Sequence, residues 1–526
     1  MPELPRKFFP ICTRFPEFVT NLRYFGGFRM ETWPGITMIP QAHRNAYLRG
    51  IAVAALFFAS SPGIAAQQTG EPLRIKNVIL MIADGSGANS ITATGMYTGK
   101  LGKEIVDGPE WTKSWVSTYP LRTGNKPVPD ADGLKQDPNT VYDPAKNWDT
   151  TPMAPREGRF ADRFAGYRWT KSTAPDSANT MSAAMTGTKS YNAAINSDGN
   201  GEKLLSFAER AVRAGKAVGI VTTVEFADAT PSAGGGAHNV ARTNHHAIAH
   251  EMLSTNTIRV VMGAGNPEYD NDGKKREEPN YDWISPEDWA GLKAGVNGFL
   301  FIETKEQFEA LARSTAPPRK VAGVMRSFNG SQAYRKGLGP SDEPPYSVAR
   351  RDDVPSLSTM ARGAFNILSR DLDGMFLVVE GGAVDRAMHG NNVGRMIEER
   401  IEFNETIADV VALVSSGVNG INWSNTLLIV TADHDHLLLG PDSDTIPYQP
   451  LVDKGMGQVP GYRWQSEGHS NQLVPLYARG FGAEIVKSCA TQTDAVTDAS
   501  GRRFGRGAYM DQTQILQLML GNPRCQ

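Results

Sequence analysis

Ser177 stands at the predicted start of a helix within Thr173–Gly187, a stretch rich in small residues. Ala174 precedes a proline and is pushed out of the α region, and Asp176 or Ser177 can cap the helix that follows. Gly187 is the predicted end of that helix. A serine here meets unpaired backbone N–H groups and the positive end of the helix dipole, a place suited to phosphate. Ser177 is therefore either a residue that handles phosphate or an ordinary helix cap.

Carboxylates follow three of the predicted strands: Asp84, Glu380 and Asp433. Open α/β sheets bind their ligands at the carboxyl ends of the strands. One acidic residue in such a position is equally well explained by a turn. Because the arrangement recurs on three strands, we expect the carboxylates to share one site.

Histidines accompany these carboxylates at spacings that suit a metal site. Asp385 and His389 are four residues apart and share one face if the segment is helical. Asp433–His436 alternates the two residue types, and His469 follows later. Zinc takes imidazole and carboxylate ligands, whereas magnesium prefers oxygen ligands and water. A pair of metal ions can clamp the attacking and leaving oxygens of a displacement at phosphorus. The pattern therefore predicts metal-assisted chemistry on phosphate.

The elements that position these residues alternate between buried strands and amphipathic helices. This alternation predicts an α/β fold with a large, mostly parallel central sheet and helices on both faces. The predicted strands are Asn77–Ala83, Ala217–Thr223, Ile258–Met262, Met375–Val379, Thr426–Val430 and Val474–Ala478. The predicted helices cover 204–214, 356–371 and a long segment through Ile397 and Val411.

The chain of 526 residues is divided by composition into a leader and one large domain. We expect residues 1–66 to be an N-terminal extension with a signal peptide, and residues 67–526 to be a single domain. Insertions at about 101–170, 266–287 and 437–466 are polar or rich in Pro and Gly, and we expect them to cover the site. Residues 489–526 are expected to form a tail.

The leader has the pattern of an export signal. A cationic segment, His43–Arg49, precedes the apolar run Ile51–Ser60, and Gly63–Ala65 offers small residues for cleavage. We expect a mature start between residues 65 and 67 and a periplasmic or extracellular location. The run is too short to span a bilayer, so no stable membrane anchor is expected. Because Met38 begins a conventional signal peptide, we infer that translation starts there.

The net charge and the cysteine content indicate which kinds of partner to exclude and which cellular compartment to expect. There are 54 Lys and Arg against 56 Asp and Glu, a net charge of −2, and no polybasic tract, which argues against a nucleic-acid partner. Cys12 lies in the leader, so Cys489 and Cys525 are the only pair in the mature chain. They either form a disulfide or stay as free buried thiols, and an oxidising compartment favours the disulfide.

In their order and local spacing, these motifs resemble the alkaline phosphatase family, bacterial type, from about residue 74 to 485 outside the insertions. The resemblance implies hydrolysis of small phosphate monoesters to alcohol and phosphate through a phosphoserine on Ser177. It implies that Arg242, a dozen residues beyond Asp228–Pro231, grips the phosphate. A homodimer is one alternative, and the insertions leave the oligomeric state and its contacts open.

The resemblance further implies two zinc ions and one magnesium ion. It assigns one zinc to Asp385, His389 and His469, the other zinc to Asp433 and His434 with Asp84 bridging, and magnesium to Asp84, Thr230 and Glu380. The resemblance also implies that Asp228 holds a water molecule bound to magnesium. It implies that Arg386 tunes the affinity for phosphate.

The chain departs from the family pattern after the nucleophile, where Asn179, Met181 and Ser182 stand, and at Arg386, where some bacterial members carry lysine and some animal members histidine. Two other readings remain open: a phosphodiesterase of the same superfamily, and a secreted phosphate- or metal-binding protein without turnover. Thr230, Glu380 and Arg242 argue against a phosphodiesterase, because diesterases generally lack the three magnesium ligands and the arginine that grips phosphate.

Four further histidines receive weaker assignments. His246 and His250 are one helical turn apart, and we expect a solvated helix face rather than a metal site. His436 is expected to support the ligands beside it. His238 is expected to be structural or to support the site.

Overall fold

An 11-stranded sheet forms the centre of the computed structural model, which describes residues 73–498 and 500–525. The predicted extension and signal peptide, residues 1–66, lies outside the described residues. The strands are β1 Asn77–Ala83, β2 Thr112–Ser117, β3 Ala217–Glu225, β4 Val260–Ala264, β5 Leu300–Ile302, β6 Val321–Val324, β7 Met375–Gly381, β8 Thr426–Thr431, β9 Asp435–Leu439, β10 Arg463–Ser470, β11 Val474–Gly480, β12 Gln492–Asp494 and β13 Gly507–Asp511. Strands β9 and β10 pair separately in a two-stranded sheet.

The order across the large sheet is β12-β13-β2-β11-β8-β1-β7-β3-β4-β6-β5. The segment from β8 to β5 is parallel throughout, while β11 pairs antiparallel with both β2 and β8. Central strands β1, β3, β7 and β8 are buried along their whole length, which explains why each reads as a continuous apolar run. The predicted mostly parallel α/β fold is confirmed.

Fifteen α-helices accompany the strands in the described residues. They are α1 Ala88–Thr98, α2 Asp130–Gly133, α3 Pro144–Asn147, α4 Ala165–Ser172, α5 Ser177–Thr186, α6 Phe207–Arg213, α7 Ala229–Gly234, α8 His245–Ser254, α9 Pro286–Lys293, α10 Lys305–Arg313, α11 Leu357–Leu368, α12 Ala383–His389, α13 Val393–Ser415, α14 Ile485–Cys489 and α15 Gln514–Leu520. Single 3₁₀ turns occupy Ile105–Asp107, Val296–Gly298 and Val418–Gly420.

Helices cover both faces of the sheet and divide the core in two. Alternate residues of β1 face opposite sides: Leu80 packs with α5 and α6, whereas Met81 packs with α11 and α13. None of the helices in residues 73–498 and 500–525 combines the length and the apolar character that a membrane-spanning helix needs.

Two segments expected outside the sheet belong to it. The predicted insertion at 101–170 contributes β2, whose mixed sequence TKSWVS hides the strand because only half of its residues are buried. The predicted tail contributes β12 and β13, and β13 runs parallel to β2. Its helix α14 ends at Cys489, which forms a disulfide with Cys525, so the chain end is tied down.

Candidate active site

Three acidic residues meet where the central strands end. Ile82 of β1 is level with Glu380 of β7 on one side and with Thr431 of β8 on the other. Asp84 and Asp433 each lie two residues beyond that level, so the register alone brings the three carboxylates to one edge of the sheet. All three are buried.

Burial at this edge of the sheet favours the protonated form of the three carboxyl groups over the ionised form. Burial raises the pKa of Asp84 well above its ordinary value, and Asp433, Asp385 and Glu380 add to the rise. Burial also raises the pKa of Asp433 to about 6 and that of Glu380 to about 8. Three mutually repelling carboxylates are costly to bury unless a cation neutralises them.

Ser177 is the first residue of α5, and its hydroxyl lies at this edge. Asp176 is the N-cap, and its carboxylate accepts a hydrogen bond from the Asn179 amide at 3.0 Å, so the cap position is filled by the residue before the serine. Ser177 Oγ is therefore free to face the carboxylates: it lies 3.5 Å from Asp84 Oδ1 and 3.1 Å from His434 Nε2. The hydroxyl is buried between two residues that the sequence identified as candidate metal ligands.

The residues that follow Ser177 hold helix α5 in place. Asn179 Nδ2 donates to Asn192 Oδ1 at 2.6 Å, and Asn192 Oδ1 also accepts from the Asp176 amide. Ser182 Oγ donates to the Ala194 carbonyl at 3.0 Å, while Met181 packs in the core. These departures from the family pattern thus fix α5 against the segment around 192–196.

Two groups of side chains are arranged to hold a cation. In the first, Asp84, Asp433 and His434 bring one ligand atom each to within 4.8 Å of one another. In the second, the same holds for Asp385, His434, His436 and His469. His434 belongs to both groups, which makes them neighbours.

Asp385 is the centre of the second group. It lies on α12, and its Oδ1 is 2.7 Å from His436 Nε2 and 3.4 Å from Nε2 of both His469 and His389. His389 and His469 approach each other at 2.9 Å between their Nε2 atoms, so the three residues that the resemblance groups, Asp385, His389 and His469, lie close together. His436, expected only to support the site, makes the shortest contact with Asp385.

The histidines differ in their preferred protonation state. Burial lowers the pKa of His434 well below its ordinary value and that of His436 to about 3. Burial also opposes the charge of His469, but its hydrogen bond to Asp385 raises the pKa. The pKa of Asp385 would rise on burial, yet His389 and the hydrogen bonds from His436 and His469 lower it well below its ordinary value. Neutral imidazoles and an ionised carboxylate are the forms in which these groups bind metals.

Buried oxygen atoms without partners mark a third position. Thr230 Oγ1, Glu380 Oε1 and Asp433 Oδ2 are buried and have no hydrogen-bond partner within the described part of the chain. Thr230 lies on the short helix α7, and Thr222 Oγ1 donates to the other oxygen of Glu380. Orphaned buried oxygens are costly, and a bound cation would satisfy them. The donor set therefore fits the metals that the resemblance implies: oxygen atoms alone at Thr230 and Glu380, oxygen and nitrogen around His434 and Asp385.

Two arginines share one aspartate beside these groups. Arg242 Nη2 donates to Asp228 Oδ1 at 2.9 Å, and Arg386 Nη2 donates to Asp228 Oδ2 at 2.6 Å. Although burial opposes ionisation, the two guanidinium groups lower the pKa of Asp228 to about 2. Arg242 also forms an ion pair with Asp176 at 3.3 Å. Arg386 also forms an ion pair with Glu225 at 3.1 Å.

Sequence reasoning missed the part that two residues, Asp176 and Glu225, play in this site. Asp176, read only as a helix cap, also binds Arg242. Glu225 lies at the end of β3, and burial raises its pKa to about 7. The strand-end rule that selected Asp84 applied to Glu225 as well, and it would have been found had β3 been extended by two residues.

The remaining histidines lie away from this edge. His238 contacts Glu251 at 3.0 Å and Glu209 at 3.4 Å. His246 Nε2 contacts the Tyr281 carbonyl, and His250 Nδ1 is 2.9 Å from Asp288 Oδ1. His250 on α8 thus has a carboxylate partner on α9, although no partner was evident near it in the sequence.

Together the fold and the site define the class: an α/β protein in which two neighbouring groups of candidate metal ligands lie beside a buried serine. The family model "Alkaline phosphatase" matches residues 149–449, more than half of the chain. The chain belongs to the alkaline phosphatase family.

The chain is also similar to individual members of this family and to solved structures. The chain is 29% identical to alkaline phosphatase 4 of Bacillus subtilis over 313 residues, which cover 58% of this chain and 59% of that protein. It is 25% identical to the human tissue-nonspecific isozyme over 447 residues, 77% of this chain and 74% of that protein. The alkaline phosphatase from the Antarctic bacterium TAB5 superposes with a TM-score of 0.54 at 21% identity, covering 86% of this chain and 99% of that one. The alkaline phosphatase of Thermus thermophilus superposes with a TM-score of 0.55 at 18% identity, covering 89% of this chain and 95% of that one. These structures share the fold.

Proposed function

We propose that this protein hydrolyses phosphate monoesters to alcohol and inorganic phosphate, with Ser177 as the nucleophile. The observation that carries the proposal is the position of the Ser177 hydroxyl, 3.1 Å from His434 and 3.5 Å from Asp84 at the start of α5. A hydroxyl between two candidate metal ligands is placed for activation as a nucleophile. Family membership supports the same chemical class.

The residues that would hold metals fall into three sets. Two zinc ions are assigned to Asp385, His389 and His469 and to Asp84, Asp433 and His434, and one magnesium ion is assigned to Asp84, Thr230 and Glu380. When bound, these ions would supply Lewis-acid chemistry, lowering the pKa of the serine hydroxyl and neutralising charge on phosphate. His436 would orient Asp385 through its hydrogen bond.

The side chains of this protein bind and orient the phosphate. Arg242 grips two non-bridging oxygens with its planar fork, while Asp176 and Asp228 keep the guanidinium aimed at the start of α5. The unpaired N–H groups of α5 add positive potential at the same place. Arg386 acts through Asp228, whose second carboxylate oxygen it holds.

The reaction proceeds in two displacements at phosphorus. Ser177 Oγ gives up its proton and forms a bond to phosphorus as the ester P–O bond breaks, and that proton passes through solvent to the leaving alcohol. A water oxygen then bonds to phosphorus as the Oγ–P bond breaks, which restores the Ser177 hydroxyl and releases phosphate. Positioning and electrostatic stabilisation provide most of the rate enhancement in such transfers.

Monoesters are favoured over diesters because a monoester has three unsubstituted oxygens: two can pair with Arg242, and the third remains available to the residues that would hold the metals. A protein that only bound phosphate or metal would have no need for a nucleophile at Ser177. We also propose that the protein is exported, since the Cys489–Cys525 disulfide suits an oxidising compartment.

The test is hydrolysis of an aryl phosphate monoester and the matching diester by the mature protein near pH 9, with zinc and magnesium and then with chelator. We expect monoester cleavage that chelator abolishes and weak diester cleavage. A preference for the diester would overturn the role of Arg242, and metal binding without turnover of either ester would overturn the enzyme assignment.

A further inference from the structure

A cavity of about 210 Å³ lies behind the candidate active site, on the opposite face of the sheet from α5. It is enclosed by the ends of β1, β8 and β11, by α1 and α13, and by the segment 101–107. Its lining is mainly apolar and includes Ala83, Ile91, Val106, Ile407 and Val430. Leu101, 47% exposed, stands at the mouth. The cavity is therefore open to small molecules yet separated from Ser177 by the sheet.

One buried cation faces this apolar space. Arg400 of α13 lines the cavity and is only 6% exposed. Its single hydrogen bond runs from Nη2 to Asn404 Oδ1, at 2.8 Å, and its Nε is buried without a partner in the described part of the chain. It also lies over the ring of Phe403, 5.4 Å from the centroid. An arginine buried this deeply is normally paired with a carboxylate, as Arg335 is with Glu398.

The acidic residues nearby do not fill that role. Glu104 and Asp107 both line the cavity, but neither forms an ion pair with Arg400 among the described residues. Asp107 is engaged by Lys113 and by the Glu104 amide. Burial raises the pKa of Glu104, although the positive charges of Lys100 and Arg400 oppose that rise. The guanidinium therefore keeps unused donors in a low-dielectric pocket, which is costly unless an anion is bound.

We propose that this cavity binds a small aryl carboxylate, whose carboxylate pairs with Arg400 and whose ring lies among Ile91, Ile407 and Val430. Tyr477, also in the lining and half-buried, carries a hydroxyl that makes no hydrogen bond to the described residues and can donate to the same carboxylate. An apolar cavity of about 150 Å³ accepts benzene, so this one has room for one ring and a short acid arm. Arg400 offers a planar fork that matches a carboxylate. The inference stands independently of the proposed phosphatase activity.

The test measures phenylacetate binding to the mature protein by isothermal titration calorimetry, with saturating inorganic phosphate present to block the active site. We expect one phenylacetate per chain, and at least tenfold weaker binding of neutral phenylacetamide. Arg400→Gln should weaken phenylacetate binding at least tenfold, whereas Arg400→Lys keeps the charge and should retain part of it. Val106→Phe leaves the guanidinium in place but fills the cavity, and should abolish binding.

Several results would overturn the proposal. Equal binding of phenylacetate and phenylacetamide would remove the role of the guanidinium, as would unchanged affinity in Arg400→Gln. Unchanged affinity in Val106→Phe would place the ligand elsewhere. Displacement of phenylacetate by an equal concentration of chloride would show a site for inorganic anions only. If Arg400→Gln does not fold, the Val106→Phe and phenylacetamide comparisons decide the question alone.

Discussion

Ser177 Oγ lies 3.1 Å from His434 Nε2, although 257 positions separate the two residues in the chain. The hydroxyl lies on the first residue of α5, and the imidazole lies three residues beyond the end of β8. Because His434 also belongs to both groups of candidate ligands, this contact joins the proposed nucleophile to the proposed metal centre.

Phosphate affinity should depend on Arg242. We expect Arg242→Gln to weaken inhibition by inorganic phosphate roughly 10- to 100-fold, since it removes charge-assisted hydrogen bonds worth about 1.5–3 kcal/mol. Phosphate inhibition constants at fixed pH measure this. Arg259→Gln removes a surface arginine that pairs with Asp371 and serves as the matched control. An inhibition constant that changes equally in both variants would refute the assignment.

The oxygen-only position should be the magnesium site. Thr230→Val keeps the side-chain shape but removes the orphaned hydroxyl. We expect the magnesium concentration for half-maximal activation to rise on the order of tenfold, while tightly bound zinc is retained. Activity against magnesium concentration and elemental analysis of the purified protein measure the two effects. Thr406→Val is the control because that hydroxyl only donates to the Glu402 carbonyl in α13. Equal magnesium curves for both variants would contradict the assignment.

His238 should make stability depend on pH. Burial opposes its charge, but hydrogen bonds to Glu209 and Glu251 raise its pKa to about 9. Since the folded pKa exceeds that of the unfolded chain, this stabilisation is complete below about pH 6.5 and is lost as pH rises through 9.

The variant His238→Gln should therefore be less stable than the parent at pH 6 by on the order of 1–2 kcal/mol, a figure discounted for partial solvent screening. The difference should shrink toward pH 9.5. Denaturant unfolding at both pH values tests this, with the exposed His250→Gln as control. A difference in unfolding free energy that stays constant with pH would exclude the charge-based explanation.

The disulfide should stabilise the C-terminal strands. Cys489 and Cys525 are 36 positions apart, and closing a loop of that length contributes about 3–4 kcal/mol in the chain-entropy estimate. We expect the double variant Cys489→Ser, Cys525→Ser to melt at a lower temperature and to be insensitive to reductant. A melting temperature equal to that of the oxidised parent would show that the bridge contributes nothing.

The central sheet could be predicted because its strands are buried on both faces. Asn77–Ala83 is apolar from end to end, and the structure places its strand there without change. Strand β2 has no such signature, because Lys113 and Thr112 face outward beside buried Val116. Its place in the sheet depends on pairing with β11 and β13, contacts that local sequence does not encode.

The residue types of the candidate metal ligands could be predicted from the sequence. The contacts that other side chains make around them could not. Spacing alone put Asp385 and His389 on one helical face, and α12 does so. Nothing local to Asp176 signals its contact with Arg242, 66 positions away. In the same way, the close approach of His436 to Asp385 arises because β9 and α12 meet only in the folded chain.

The most direct measurement is identification of the residue that carries phosphate during turnover. The protein would be quenched in acid while hydrolysing an aryl phosphate, digested with trypsin, and the peptide 172–189 sequenced by tandem mass spectrometry. We predict phosphate on Ser177 and on neither Ser172 nor Ser182, and a loss of roughly three orders of magnitude or more in kcat for Ser177→Ala but not for Ser182→Ala. Phosphate on another residue, or undiminished hydrolysis by Ser177→Ala, would contradict the account.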